Sequence, residues 1–413
     1  MAGTERAAGG GAGRGKEMAA GTGAGTRWAV LSVLFAVRMT MAFQFESVAA
    51  VAPTIMRESG AGLADVALLF SLYLAPGVVI ALPGGELGRR LGDSRGVTAG
   101  LVLMIAGGIV TALASAWAWP SSWCWQLAGR VVAGTGGVVL NVVLSKMVAD
   151  WFADGEIATA MGVFVASWPV GIALALLTLP PVTAVSGSAG AGLAAASLAA
   201  LAILLVGAGC RAPPVQSRAG PAAAWPASAA VPAVLAAGCI WGLYNAALGT
   251  VFGFGTALLA ERGWTPTGGG AAVSLVLWLV SVSVPAGGML ADRGRRHAAV
   301  MAWGFVLLAA AVAVAARTDH VVLVFAALGV VGGLPAGPVM SLPARVLAPA
   351  ARATGMGIFY TVYYAIVVAG PIVAGRTAAA AGSSRAAFDA GVVMLLGCVA
   401  AHAVFTGTMR TKP

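Results

Sequence analysis

The chain alternates long apolar runs with short polar breaks. Twelve runs of roughly 19–25 residues lie near 28–52, 65–87, 96–118, 123–146, 157–179, 189–209, 231–252, 270–290, 298–316, 321–343, 354–376 and 388–408. Each is long enough to cross the hydrocarbon core of a bilayer as a helix. Helix is the only open-chain choice there, because lipid offers free backbone groups no partner. The predicted fold class is therefore an all-α membrane protein with twelve transmembrane helices.

The polar breaks organise the runs. Residues 1–27 are rich in Gly and Ala, carry scattered charges and have no apolar period, so a disordered cytoplasmic tail is expected. They lack the apolar stretch and small-residue cleavage site of a signal peptide. The longest internal break, 210–230, is rich in Pro and Ala and serves as a linker between two six-helix bundles, 28–209 and 231–408. Residues 409–413 form a short tail. An ungapped shift of 203 positions places Glu58 on Glu261, Gly60 on Gly263, Gly84 and Gly85 on Gly287 and Gly288, and Arg90 on Arg293. The halves thus read as a direct six-plus-six repeat, one of the known transporter plans.

Composition supports the membrane reading. Hydrophobic residues make up 60% of the chain and charged residues 9%, too little charge to cover a soluble surface. The four cysteines lie in or beside apolar runs, which argues against a disulfide scaffold. A net charge of +10 could point to nucleic acid, but the basic residues sit in short loops between apolar runs. Seventeen of the 24 Lys and Arg residues fall on the N-terminal side of the membrane and five on the other, so the positive-inside rule puts both termini in the cytoplasm. Trp117, Trp119, Trp123 and Trp125 crowd the outer ends of spans three and four, as an interfacial belt does. The expected location is the plasma (bacterial inner) membrane, the expected partners are the lipid bilayer, a small anionic substrate and protons, and no nucleic acid is expected.

Three charges lie deep inside apolar runs: Arg38, Glu46 and Arg130. Charge at that depth is costly and marks a functional-site hypothesis. At a rise of about 1.5 Å per residue, Arg38 sits about 15 Å from the inner end of span one, Glu46 about 27 Å, and Arg130 about 24 Å from the inner end of span four. Glu46 and Arg130 share a level, which suggests a pair with a role in proton coupling. Arg38 is then an unpaired cation near the midplane, and a substrate anion could neutralise it. Gln44, Tyr73, Trp168, Trp241, Tyr244, Asn245 and Tyr364 lie near this layer and are candidate substrate-binding residues, with Tyr360 beside them. Asn141 and Lys146 are expected nearer the exit.

The loop after span eight reads Gly288-Met289-Leu290-Ala291-Asp292-Arg293-Gly294-Arg295-Arg296, and that after span two Gly85-Glu86-Leu87-Gly88-Arg89-Arg90-Leu91-Gly92-Asp93. The first resembles the loop signature of the major facilitator superfamily, with one residue missing before the second glycine. In the second, Arg89 replaces the usual Asp. Arg130-x-x-x-Gly134-x-Gly136-Gly137 resembles the family's fourth-helix pattern, whose Arg is linked to proton coupling. The resemblance implies a secondary transporter whose spans one, four, seven and ten line a central cavity, with a gating loop built on Gly85, Arg90, Gly288, Asp292 and Arg293. It also implies a monomer. Leu144–Phe152 and Ser167–Gly171 look like the prokaryotic branch of cyanate or nitroimidazole permeases.

No catalytic constellation, Cys/His metal spacing, phosphate loop or dinucleotide fingerprint is present, so no enzyme, cofactor or ATP drive is expected. The expected function is proton-coupled transport of a small anion or organic anion by alternating access. Efflux of neutral or cationic drugs, and a non-transporting sensor or scaffold, are the rival readings.

Overall fold

The computed structural model describes residues 9–116, 121–152, 156–209 and 225–410. The central linker expected at 210–230 lies mostly outside them. The described chain forms fourteen α-helices: α1 (Gly9–Glu46), α2 (Ala52–Ser59), α3 (Leu63–Ser71), α4 (Gly77–Leu91), α5 (Asp93–Ser115), α6 (Ser121–Phe152), α7 (Ile157–Gly209), α8 (Val231–Glu261), α9 (Pro266–Gly294), α10 (His297–Ala315), α11 (Val321–Gly332), α12 (Ala336–Val346), α13 (Arg352–Ala381) and α14 (Arg385–Arg410). α1 is helical from Gly9, well before Trp28, so part of the stretch expected to be disordered continues the first span.

Ten helices among the described residues are long and apolar enough to cross a membrane. The twelve-crossing architecture follows from two local features. The 53-residue α7 holds two crossings joined at Gly187, whose φ of 66° breaks the helix. The second crossing is split between α3 and α4, each too short to count alone. Spans one and ten are split too, after Glu46 and after Gly332. These breaks were not expected from the continuous apolar runs.

Within the first half α5 packs on α6 and α7, and α1 on α7; within the second, α8 packs on α13 and α14, and α9 on α11. The halves meet along two seams, α4 against α13 and α7 against α9 and α12. Glycines make the seams close: a Cβ on Gly85 would run into the Ala353 carbonyl, and one on Gly288 into that of Ala158. The Gly134–Gly137 stretch serves packing as well, making room for Tyr73.

The internal repeat extends into the contacts. Glu58 accepts from the backbone N–H (2.9 Å) and hydroxyl of Ser188, and Glu261 accepts from the Ser383 hydroxyl (3.0 Å) and the Ser384 N–H (2.8 Å). Each carboxylate caps the start of its half's last crossing, just past a glycine of positive φ, Gly187 or Gly382.

Candidate functional site

Arg38 is 5% exposed and reaches from α1 into the joint between the halves. Its Nε donates to Asn141 Oδ1 (3.1 Å). Its Nη1 donates to the carbonyls of Phe164 (3.2 Å) and Val165 (3.1 Å) and to Ser167 Oγ (3.2 Å). Pro169 explains one of these acceptors: it has no N–H for the carbonyl four residues back, so the Val165 oxygen is left over within α7. The guanidinium lies 4.7 Å from the Phe164 ring centre and 5.6 Å from that of Trp168. Among the described residues no carboxylate pairs with Arg38 and no acceptor meets Nη2, which is not one of the sealed orphan donors.

Asn141 carries the network across the joint. Its Nδ2 donates to the Tyr364 hydroxyl (3.2 Å), and one turn along α6 Ser145 Oγ meets Tyr360 Oη at 2.6 Å. Pairs 141–364 and 145–360 form a two-rung polar zipper between antiparallel helices. Tyr360, Tyr363 and Tyr364 all lie within electrostatic reach of Arg38. Tyr363 packs edge-on against both other tyrosines and stacks on Trp241. Asn141, expected near the exit, is thus the hub between Arg38 and the second half. Phe164 and Tyr363 were not singled out from sequence, and Ser145 and Ser167 entered only as members of the permease-like segments, not as site residues.

Arg130 forms a separate centre. It is 2% exposed. Nε donates to the Leu69 carbonyl (3.1 Å), Nη1 to that of Gln44 (2.8 Å) and Nη2 to that of Phe45 (3.0 Å), while the Tyr73 ring centre lies 4.8 Å away. These carbonyls belong to the last turns of α1 and α3, where the split spans leave backbone oxygens without helical partners. A cation there also meets the negative ends of two helix dipoles. The expected Glu46–Arg130 ion pair is absent among the described residues; Arg130 feels the Glu46 charge but bonds to backbone, because the breaks supply nearer acceptors. Glu46 is half-buried, with no hydrogen bond or ion pair among the described residues. Gln44 and Tyr73 belong to this centre rather than to Arg38: Gln44 donates to the Met104 carbonyl (2.9 Å) and its Oε1 lies 3.5 Å from Tyr73 Oη.

The remaining candidates spread out. Tyr244 donates to the Gly332 carbonyl (2.7 Å), filling the break between α11 and α12, and Asn245 donates back to the Trp241 carbonyl (2.8 Å).

At the end of the bundle that carries the Arg-rich loops, the two seams are fastened differently. Along α7/α9, Asp292 accepts from the Thr159 N–H and hydroxyl (2.7 Å each) and from the Ala158 N–H (3.4 Å), capping α7 from the other half; His297 Nε2 is 2.8 Å from its other oxygen. Arg293 is exposed and without a partner among the described residues; Arg345 is the cation within reach of Asp292. α9 is capped by Arg295, whose φ of 49° takes the left-handed turn usually given to glycine. On the α13 side, Arg352 of α13 donates to Asp150 of α6 (2.7 Å), and Lys146 bridges Asp150 (2.9 Å) and Asp93 (2.8 Å).

The segments Ala158-Thr159-Ala160-Met161-Gly162 and Ala353-Thr354-Gly355-Met356-Gly357 occupy matching starts of α7 and α13. Thr159 has Asp292 as its acceptor. Thr354 is buried with its hydroxyl unpaired. The residue matching Asp292 under the repeat shift is Arg89, which instead turns to Glu86 (2.6 and 2.8 Å), as does Arg90 (2.7 Å). Gly85 and Gly288 therefore share a packing role, whereas the charged positions of the two loops do not share a bonding role.

An uncharacterized MFS-type transporter of Mycobacterium tuberculosis (strain ATCC 25618 / H37Rv) is 26% identical over 159 residues, 38% of this chain; the match spans 34% of that relative. The human organic anion transporter MFSD10 (TETRAN) superposes with a TM-score of 0.75 at 16% identity, covering 91% of this chain and 99% of that one. The transporter FucP in the outward conformation gives 0.73 at 15% identity, covering 93% and 99%. At such identities the solved structures speak for the fold. The family model described as Major Facilitator Superfamily matches residues 34–258, more than half the sequence, and the chain belongs to that superfamily.

Proposed function

We propose that this transporter moves a small anion or organic anion across the plasma membrane by alternating access, with Arg38 as the counter-charge and protons as the energy source. The observation that carries the reading is the state of Arg38: a buried guanidinium held by neutral acceptors, with no carboxylate partner and with Nη2 unengaged among the described residues. Neutral ligands orient the cation without cancelling its charge, so an anionic guest gains the full attraction. A location between the halves suits alternating access, since the two bodies that must rock apart both reach the site.

Both termini face the cytoplasm in this reading, from the basic loops. The hydrogen bonds and ion pair joining the halves (Asn141–Tyr364, Ser145–Tyr360, Asp292–Thr159 and Asp150–Arg352) lie from the midplane towards that end. The conformation is then outward-facing, and these contacts break when the inner side opens. Glu46, half-buried and unpaired, is the proton-carrying group; Arg130 sets its surroundings. The protein acts as a monomer. Within the superfamily, Leu144–Phe152 and Ser167–Gly171 favour the cyanate or nitroimidazole permease-like branch.

The test is anion uptake into proteoliposomes under a proton gradient. Wild type accumulates the anion, and Arg38→Gln folds but does not bind or carry it. Uptake unchanged by Arg38→Gln overturns the reading.

A further inference from the structure

We infer that the preferred guest is a flat aromatic monoanion of the benzoate type, a substrate class that rests on the anion reading above and narrows it. Arg38 is surrounded by rings from both halves. Phe164 and Trp168 lie against its guanidinium from the first half, and Tyr360, Tyr363 and Tyr364 of the second lie within electrostatic reach, tied in through Asn141, which donates to Tyr364. The rings continue outward on both sides: Phe45 packs on Trp168 at 5.2 Å, and Trp241 stacks on Tyr363 at 6.1 Å with 28° between planes. Trp168 and Tyr363 are both only half-buried. A planar guest can lay its face on such rings and aim its carboxylate at Nη2, gaining ring–ring contact that a saturated body of equal size does not.

Charge sets the second limit. Arg38 supplies one positive charge, and Glu46 lies eight positions further along the same helix, about 12 Å away and about 80° around it. A monoanion matches the single charge of Arg38, whereas the second carboxylate of a dianion meets no second cation bonded into this network among the described residues. The polar groups nearest the guanidinium, Asn141 and Ser167, are both already bonded to it, so shape and charge, more than hydrogen bonding, sort the guests.

The experiment compares four probes on the purified full chain, by thermal shift and by competition in proteoliposomes: benzoate, cyclohexanecarboxylate, terephthalate and benzamide. Benzoate is expected to bind about tenfold more tightly than cyclohexanecarboxylate, with terephthalate and benzamide silent. Trp168→Ala should lower benzoate to the cyclohexanecarboxylate level, and Trp168→Phe should keep most of the preference. Equal binding of the two ring acids, both lost in Arg38→Gln, overturns the aromatic inference and leaves the anion reading standing. Benzamide binding as well as benzoate, or benzoate binding unaffected by Arg38→Gln, overturns both. Silence of all four probes alongside binding of an inorganic anion such as nitrate again removes the aromatic class alone.

Discussion

Thr159 and Thr354 stand at the same place in the two halves, yet only Thr159 has an acceptor for its hydroxyl. The difference traces to Asp292 in one loop and Arg89 in the other. A carboxylate at position 89 should restore the missing cap.

The double change Glu86→Gln with Arg89→Asp is the clean form of this test, because it avoids placing two acids one turn apart. We expect it to favour the conformation closed at the basic end by about 1 kcal/mol, roughly a fivefold shift. Maleimide labelling of a single cysteine placed along the α4/α13 seam should slow accordingly. Unchanged labelling would show that the carboxylate does not reach the α13 start.

Asn141→Asp should silence anion binding. The new carboxylate replaces an amide oxygen 3.1 Å from Arg38 Nε and neutralises the guanidinium from within. Asn141→Leu is expected to behave differently: binding weakens because Arg38 loses an orienting partner, but it persists. Isothermal titration with benzoate as the probe separates the two, and retained affinity in the Asp variant would argue against a charge-based site.

Arg130→Gln should destabilise the fold by on the order of 3 kcal/mol, since it removes charge-assisted bonds to three buried carbonyls. Arg130→Lys should recover only part, because an ammonium cannot fork across two helix ends. Thermal unfolding in detergent measures this. A residue concerned with protons alone would leave the melting temperature untouched.

Glu46→Gln should uncouple transport from protons while leaving substrate exchange intact. Counterflow without a gradient is then close to wild type, and accumulation driven by a pH gradient is lost. Gradient-driven accumulation by the variant would place the coupling elsewhere.

The crossings were legible because the apolar runs match the thickness of the bilayer, whatever their neighbours do. The depths of Arg38 and Arg130 were legible for the same reason, since a charge inside such a run cannot be overlooked. Their partners were not. Depth along a helix says nothing about its azimuth, and the acceptors of Arg130 exist only because α1 and α3 stop early. One clue was present: Pro169 leaves the Val165 carbonyl without a helical donor, and Arg38 takes it. The loop repeat was visible at a shift of 203, whereas the matching Ala-Thr-x-Met-Gly segments are offset by 195. A single ungapped comparison therefore aligned the two loops, Asp292 with Arg89, without aligning the threonines they lie against.

Full charges fasten the α13 flank through Asp150 of α6 and Arg352, while a carboxylate resting on a helix start fastens the α7/α9 flank. The two halves repeat one plan, yet at the basic end one flank is closed by a salt bridge and the other by a helix cap, so opening that end breaks two different kinds of bond.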